Sequence, residues 1–127
     1  MIPYFDENIG SKIPDALKIL GLKVIPGVSK RYGQGQDDIN YLRRAGRKGW
    51  LAISANKHML DVQDEKCTII NEKVGIVFLT DGQMKRPDLM RLLLNKWSWL
   101  EEIDVKEPHP FAYYLYPHGK VRKITLS

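Results

Sequence analysis

Cysteine is nearly absent from this chain. A single one, Cys67, among 127 residues excludes an internal disulfide framework. It lies among Thr68, Ile69 and Ile70, a setting that predicts a buried, inert thiol packed as a small hydrophobe. Long apolar runs are missing too, and none approaches the length that spans a bilayer. No basic, apolar, small-residue leader opens the sequence, so the expected location is the cytoplasm. Internal repeats, low-complexity tracts and composition shifts that would mark a boundary are lacking. The expectation is one domain over residues 1–127.

What is present is a globular composition, 43% hydrophobic and 28% charged, which excludes a disordered chain. Cations outnumber anions, leaving a net charge of +5 and a pI near 9.3. Such a balance favours polyanions such as nucleic acid, because each phosphate contact releases counterions. Charge alone does not choose the partner, since many basic proteins bind nothing anionic.

Residues 1–6 read as a strand that stops at acidic residues. Ser11 suits a helix N-cap, Pro14 falls in the first turn, and Ile13, Leu17 and Leu20 give one apolar face. Gly21 suits a left-handed cap at the helix end. Leu22, Val24 and Ile25 read as a second strand, closed by Pro26 and Gly27. Ser29 to Gln36, which holds Lys30 and Arg31, is either a plain surface connection or a phosphate-facing flap; its glycine spacing is not a dinucleotide fingerprint. Asp37 caps a second helix whose buried stripe is expected at Ile39, Leu42 and Ala45, with Gly46 and Gly49 ending it.

Residues 50–54 read as a third strand, central in a parallel sheet. It runs into the polar turn Ala55-Asn56-Lys57-His58. Met59, Val62, Lys66 and Ile69 favour a helix over 59–73, and residues 74–79 a fourth strand. Pro87 opens the longest predicted helix, whose face Leu89, Leu93, Trp97, Leu100 and Ile103 runs about five turns. Trp97 is expected in the core and Trp99 outside it. Residues 111–116 and 121–126 read as a β-hairpin around Pro117-His118-Gly119-Lys120. The alternation implies an α/β fold with a mostly parallel sheet flanked by helices.

Asp6, Asp38 and the Asn56 turn fall at the C-terminal ends of strands or at the head of the helix after one. Those positions converge on one edge of a parallel sheet. Carboxylates crowded there repel unless a cation offsets them. Mg²⁺ takes one or two protein carboxylates and leaves room for water and a substrate phosphate. Metal-assisted hydrolysis of a phosphodiester is the reaction such a site suggests. The plain alternative is that the Asp37-Asp38 pair only caps a helix and Asp6 faces water.

Phe5-Asp6-Glu7-Asn8-Ile9 before a helix, Gln36-Asp37-Asp38-Ile39 heading a second, and Gly49-Trp50-Leu51-Ala52-Ile53-Ser54-Ala55-Asn56-Lys57-His58 together resemble the PIN-like nuclease family. The resemblance is to its VapC-type toxin branch, and Pro108-His109-Pro110-Phe111 with the later Tyr-x-x-Gly-Lys-Val adds to it. It implies a PIN-like three-layer α/β/α sandwich and an endoribonuclease that needs Mg²⁺ or Mn²⁺. A cognate antitoxin, an RNA substrate and a homodimer are implied with it. Carried over by position, Asp6 and Asp38 match the first two acids, Ser54 the hydroxyl after the third strand, and Glu65 a further acid. The family turn reads Thr/Ser-x-Asp, so Asn56 stands where an Asp is usual, and His58 where a further acid is often found. The site thereby loses a negative charge, which Glu65 would have to supply.

Lys57, Lys30 and Arg31 are candidates for phosphate contact, and Ser54 and His58 complete the candidate substrate contacts. A His on such a turn is more often simply solvated. His109 and His118 are expected to carry no chemistry. The apolar faces of the long helix and an exposed trio, Tyr113, Tyr114 and Tyr116, are expected to serve dimerisation. Two other readings compete. A receiver-type signalling domain shares the alternation but needs an Asp at the end of the third strand, where Ser54, Ala55 and Asn56 stand. A PIN-like module that binds RNA or a protein without cutting draws its support from Asn56.

Overall fold

Five strands form one sheet in the order β1-β2-β3-β4-β5: β1 Pro3–Phe5, β2 Leu51–Ser54, β3 Gly75–Leu79, β4 Phe111–Leu115 and β5 Val121–Ile124. The computed structural model describes residues 1–27 and 37–126. The first four strands are parallel neighbours, and β5 returns antiparallel to β4. The fold is thus the expected α/β one, with its hairpin at the C-terminal end.

Strand alternation sends successive side chains to opposite faces. Phe5, Leu51, Ile53, Val77, Leu79 and Phe111 meet α1 (Lys12–Ile19), α4 (Arg86–Asn95) and α5 (Trp97–Lys106). Tyr4, Ala52, Ile76, Phe78 and Ala112 meet α2 (Asp38–Lys48) and α3 (Gln63–Asn71). β2 and β3 are buried on both faces, which is why their sequences are unbroken apolar runs.

Caps account for two helix ends, one of which carries a site residue, Asp38. Asp37 Oδ1 accepts from the Asn40 N–H at 2.7 Å and fixes the start of α2. Gly21, at φ +87, closes α1: its N–H reaches the Lys18 carbonyl and the Leu22 N–H reaches the Leu17 carbonyl. Ser11 occupies the expected N-cap position of α1, but its hydroxyl makes no cap bond.

Several expectations are corrected. Residues 22–25 form no strand. Ile25 makes one bridge to the outer edge of β1: its N–H donates to the Pro3 carbonyl and its carbonyl accepts from the Phe5 N–H. The long helix is two helices that meet at Lys96, whose φ of −100° and ψ of 5° leave the helical range. Backbone bonds Lys96→Leu92 and Leu100→Lys96 persist on either side, so the apolar spacing runs through the bend and does not mark it.

In α2 the buried stripe is Tyr41, Leu42 and Ala45, with Ile39 only half-buried and Gly46 inside the helix. Residues 57–61 form a 3₁₀ turn ahead of α3, and Val62 between them is exposed, as is Leu20 at the end of α1. Cys67 is half-buried, not sealed, and receives a contact from Gln63 Nε2 at 3.4 Å. Trp97 and Trp99 are both half-buried and both pack against the core, so Trp99 does not lie outside it, and Tyr113 is buried rather than exposed, packed edge-on against Trp99 at 5.3 Å. Tyr114 and Tyr116 are half-exposed.

Candidate active site

Asp6 is the first residue beyond β1, and its N–H continues the pairing with the Ile53 carbonyl at 2.9 Å. That bond sets Asp6 beside Ser54 in the register, on the α2–α3 face. The Ser54 hydroxyl donates to Asp6 Oδ2 at 2.7 Å, and both residues are buried. Ser54 Oγ also accepts the Asn56 N–H at 3.0 Å, so one hydroxyl ties the carboxylate to the turn after β2. Asn56 Nδ2 then donates to Asp38 Oδ2 at 3.1 Å. The Glu65 carboxyl, in the first turn of α3, lies against that of Asp38.

Asp6, Ser54, Asn56, Asp38 and Glu65 thus form one connected group drawn from four separate segments. Its inner end is buried at Asp6 and Ser54; its outer end opens at half-exposed Asp38, Asn56 and Glu65. The electrostatics follow from the crowding. Burial raises the Asp6 carboxyl and Asp38 raises it further, against the lowering bond from Ser54. Glu65 is pushed up to about 7, first by desolvation, then by its bond to Asp38 and the charges of Asp38, Asp37 and Asp6. The crowding of carboxyl groups is the part of this that a bound cation would relieve.

The donor set is oxygen only, the chemistry of Mg²⁺ or Mn²⁺ sites. Among the described residues no three His, Cys, Asp or Glu side chains converge closely enough to enclose an ion by themselves. The fit is therefore to an ion held by one or two carboxylates, with water and substrate completing its shell.

Two close approaches hold the frame. A side chain at Gly27 would run into the backbone of Phe5, Asp6 and Glu7, so only glycine lets this segment lie against the strand end that carries Asp6. A side chain at Gly46 would strike the backbone and side chain of Glu72, so glycine lets α2, carrying Asp38, pack on α3, carrying Glu65.

Lys57 and His58 begin the 3₁₀ turn beside Asn56, but both are exposed and turn toward a neighbouring cleft with Asp61, Thr80, Tyr114 and Tyr116. His58 Nδ1 lies 3.3 Å from Asp61 Oδ2. Lys30 and Arg31 lie outside the described residues.

Tyr41 was not singled out in the sequence, yet it underlies the group. Its hydroxyl donates to the Tyr4 carbonyl at 2.6 Å and stands 3.3 Å from that of Ile53, the residues before Phe5 and Ser54 respectively. Burial, then the nearby Asp6, holds this phenol well above its usual range, so it stays a neutral donor. The signal available was spacing: 38, 41, 42 and 45 share one helix face, and Tyr41 sits on it between the acid and the core.

A family model described as PIN like domain matches residues 1–81. The match contains β1, β2, β3, α2, α3 and every member of the acidic group; α4, α5 and the hairpin lie beyond it. No curated protein and no solved structure matches the chain.

Proposed function

The chain belongs to the PIN-like domain family, whose members are typically nucleases, and from that premise we propose that it is a metal-dependent endoribonuclease acting as the toxin of a VapC-type toxin–antitoxin pair. The observation that carries the nuclease reading is the relay that links Asp6 through Ser54 and Asn56 to Asp38, with Glu65 beside Asp38, at the C-terminal edge of the sheet. When bound, Mg²⁺ or Mn²⁺ supplies positive charge that polarises the phosphoryl group and stabilises the leaving oxygen.

The chain's own residues divide the remaining work. Ser54 keeps the Asp6 carboxylate in one orientation, and Asn56 does the same for Asp38. Asp6 and Asp38 would hold the ion, with the Asn56 side-chain oxygen available to it or to its water. Glu65, pushed to about 7, is poised to take up or release a proton near neutral pH. Lys57, in the neighbouring cleft, is available as a phosphate contact, and the net charge of +5 favours a polyanionic substrate.

The toxin role, the antitoxin partner and a homodimer rest on the resemblance of the sequence to the VapC-type branch. Among the described residues no helix is long and apolar enough to cross a membrane. A second reading, a PIN-like module that holds RNA without cutting it, is favoured by one observation. Asn56 stands where the family has an acid, and it spends its amide on Asp38.

Incubation of labelled RNA with Mn²⁺ or with EDTA separates the two. Cutting that needs metal and is lost in Asp38→Ala, with the fold retained, supports the enzyme. Retention of RNA without cutting in either condition supports the module. Growth arrest on expression in a bacterial host, relieved by Asp38→Ala, tests the toxin role; unimpaired growth with active nuclease refutes it.

A further inference from the structure

The row of the sheet that begins at the acidic group does not end there. Phe5 pairs with Ile53, which sets Asp6 beside Ser54; Ser54 pairs with Phe78, Phe78 with Tyr114, and Tyr114 with Arg122. Partners in register share a face, so Asp6, Ser54, Phe78, Tyr114 and Arg122 form one line across the sheet. Its first members are covered by α2 and α3. That cover gives out at Tyr114, which is half-exposed although its neighbours Phe78 and Ala112 are sealed.

From Tyr114 the line turns outward along the hairpin as a run of rings. Ring centroids are 6.2 Å apart for Phe78 and Tyr114, 6.4 Å for Tyr114 and Tyr116, and 6.1 Å for Tyr116 and His118. Tyr114 and Tyr116 form one wall of the cleft of about 290 Å³ whose other side carries Lys57, His58 and Asp61, the last two paired with each other. Lys57 is exposed in it, and exposed Lys120 and Arg122 stand opposite Tyr116 and Tyr114 in the hairpin; none of the three makes an ion pair among the described residues.

We propose that Tyr114 and Tyr116, flanked by Lys57, Lys120 and Arg122, form a binding track for single-stranded nucleic acid that leads to the acidic group. Half-exposed rings spaced along a line, with cations beside them, match what an unpaired strand presents: base faces to stack and phosphates to neutralise. A duplex keeps its base faces inside and offers only the phosphates. Asp6 and Tyr114 lie three strand spacings apart, about 14 Å at roughly 4.8 Å each, so a strand stacked on the tyrosines reaches the acids within a few nucleotides. The track rests on the nuclease reading for its meaning, but not for its test.

The test is fluorescence anisotropy in EDTA with a labelled oligouridylate, its abasic counterpart of equal length, and the same strand annealed to its complement. Tyr116→Ala should weaken binding of the oligouridylate roughly tenfold, while Tyr116→Phe and Tyr116→Trp retain it. The abasic strand and the duplex should bind more weakly and be indifferent to residue 116. Equal binding by Tyr116→Ala and the wild type, or an abasic strand held as tightly as the base-bearing one, would overturn the track. No oligonucleotide binding, together with a wild-type dimer that Tyr116→Ala dissociates, would overturn it in favour of a protein interface. Mn²⁺-dependent cutting with binding indifferent to Tyr116→Ala refutes the track and leaves the nuclease standing. Binding lost in Tyr116→Ala without any cutting does the reverse.

Discussion

Glu65→Gln is the substitution that isolates the crowding of the acids. In the metal-free protein the Glu65 carboxyl is raised from 4.5 to about 7, so the folded state holds a proton that the unfolded chain has released. Between those values the native state binds more protons than the unfolded one, and stability falls as pH rises. The contribution is fully present below about 4.5 and is lost as pH passes about 7. A sealed carboxyl shifted this far would account for about 3 kcal/mol. Glu65 is half-buried, and solvent screening brings the expected loss to on the order of 1–2 kcal/mol.

Glutamine keeps an N–H donor toward Asp38 and has nothing to titrate. Urea unfolding in EDTA at pH 5 and pH 8 should show the wild type losing more stability across the interval than Glu65→Gln, by about that amount. Two proteins with the same change between the two pH values would refute the electrostatic reasoning, because the group would then lie too far from Asp38, Asp37 and Asp6 to feel them.

Further predictions follow from the supports of the site. Ser54→Ala removes the donor to Asp6 Oδ2 and the acceptor of the Asn56 N–H; the expected cost is about 1–3 kcal/mol by denaturant unfolding, with a further rise of the Asp6 pKa by NMR titration. Gly27→Ala meets backbone that cannot yield, so the midpoint of unfolding should fall and metal-dependent cutting should be lost together; a variant of unchanged stability would show that this segment does not press on β1. Tyr41→Phe should cost about 1 kcal/mol of stability by removing the donor to the Tyr4 carbonyl. Asn56→Asp should tighten Mg²⁺ binding in calorimetry, and unchanged affinity would place residue 56 outside the ion's surroundings.

Much of the architecture could be read from local pattern. Residues 51–54 and 75–79 are short apolar runs between polar turns, and they are the buried central strands. Asp37 and Gly21 sit where cap chemistry requires them. The features that escaped depend on which element covers which. Ile25 lies at the sheet edge, where a β-leaning segment makes one bridge and no strand. Lys96 bends the helix with no glycine or proline to announce it. Tyr113 alternates with Tyr114 in the sequence, but α5 covers one and neither α2 nor α3 fully covers the other. Its hydroxyl is met by Glu107 at 2.9 Å, a partner six residues back on the end of that helix.

The candidate site divides along the same line. Asp6, Asp38 and Asn56 were placed together by their positions at strand ends and at a helix start, and the structure brings their segments side by side. Glu65 followed from the family resemblance. Tyr41, Gly27 and Gly46 did not emerge, because their importance lies in contacts between segments distant in the chain.

Binding of Mn²⁺, followed by electron paramagnetic resonance on wild type, Asp6→Asn and Asp38→Asn, bears most directly on whether the acidic group is a metal site. Each substitution keeps the side-chain shape and removes one charge. Uptake of Mn²⁺ by the wild type and its marked weakening in both variants, all three equally folded, is the expected result. Equal uptake by all three proteins, or none by the wild type, would contradict it.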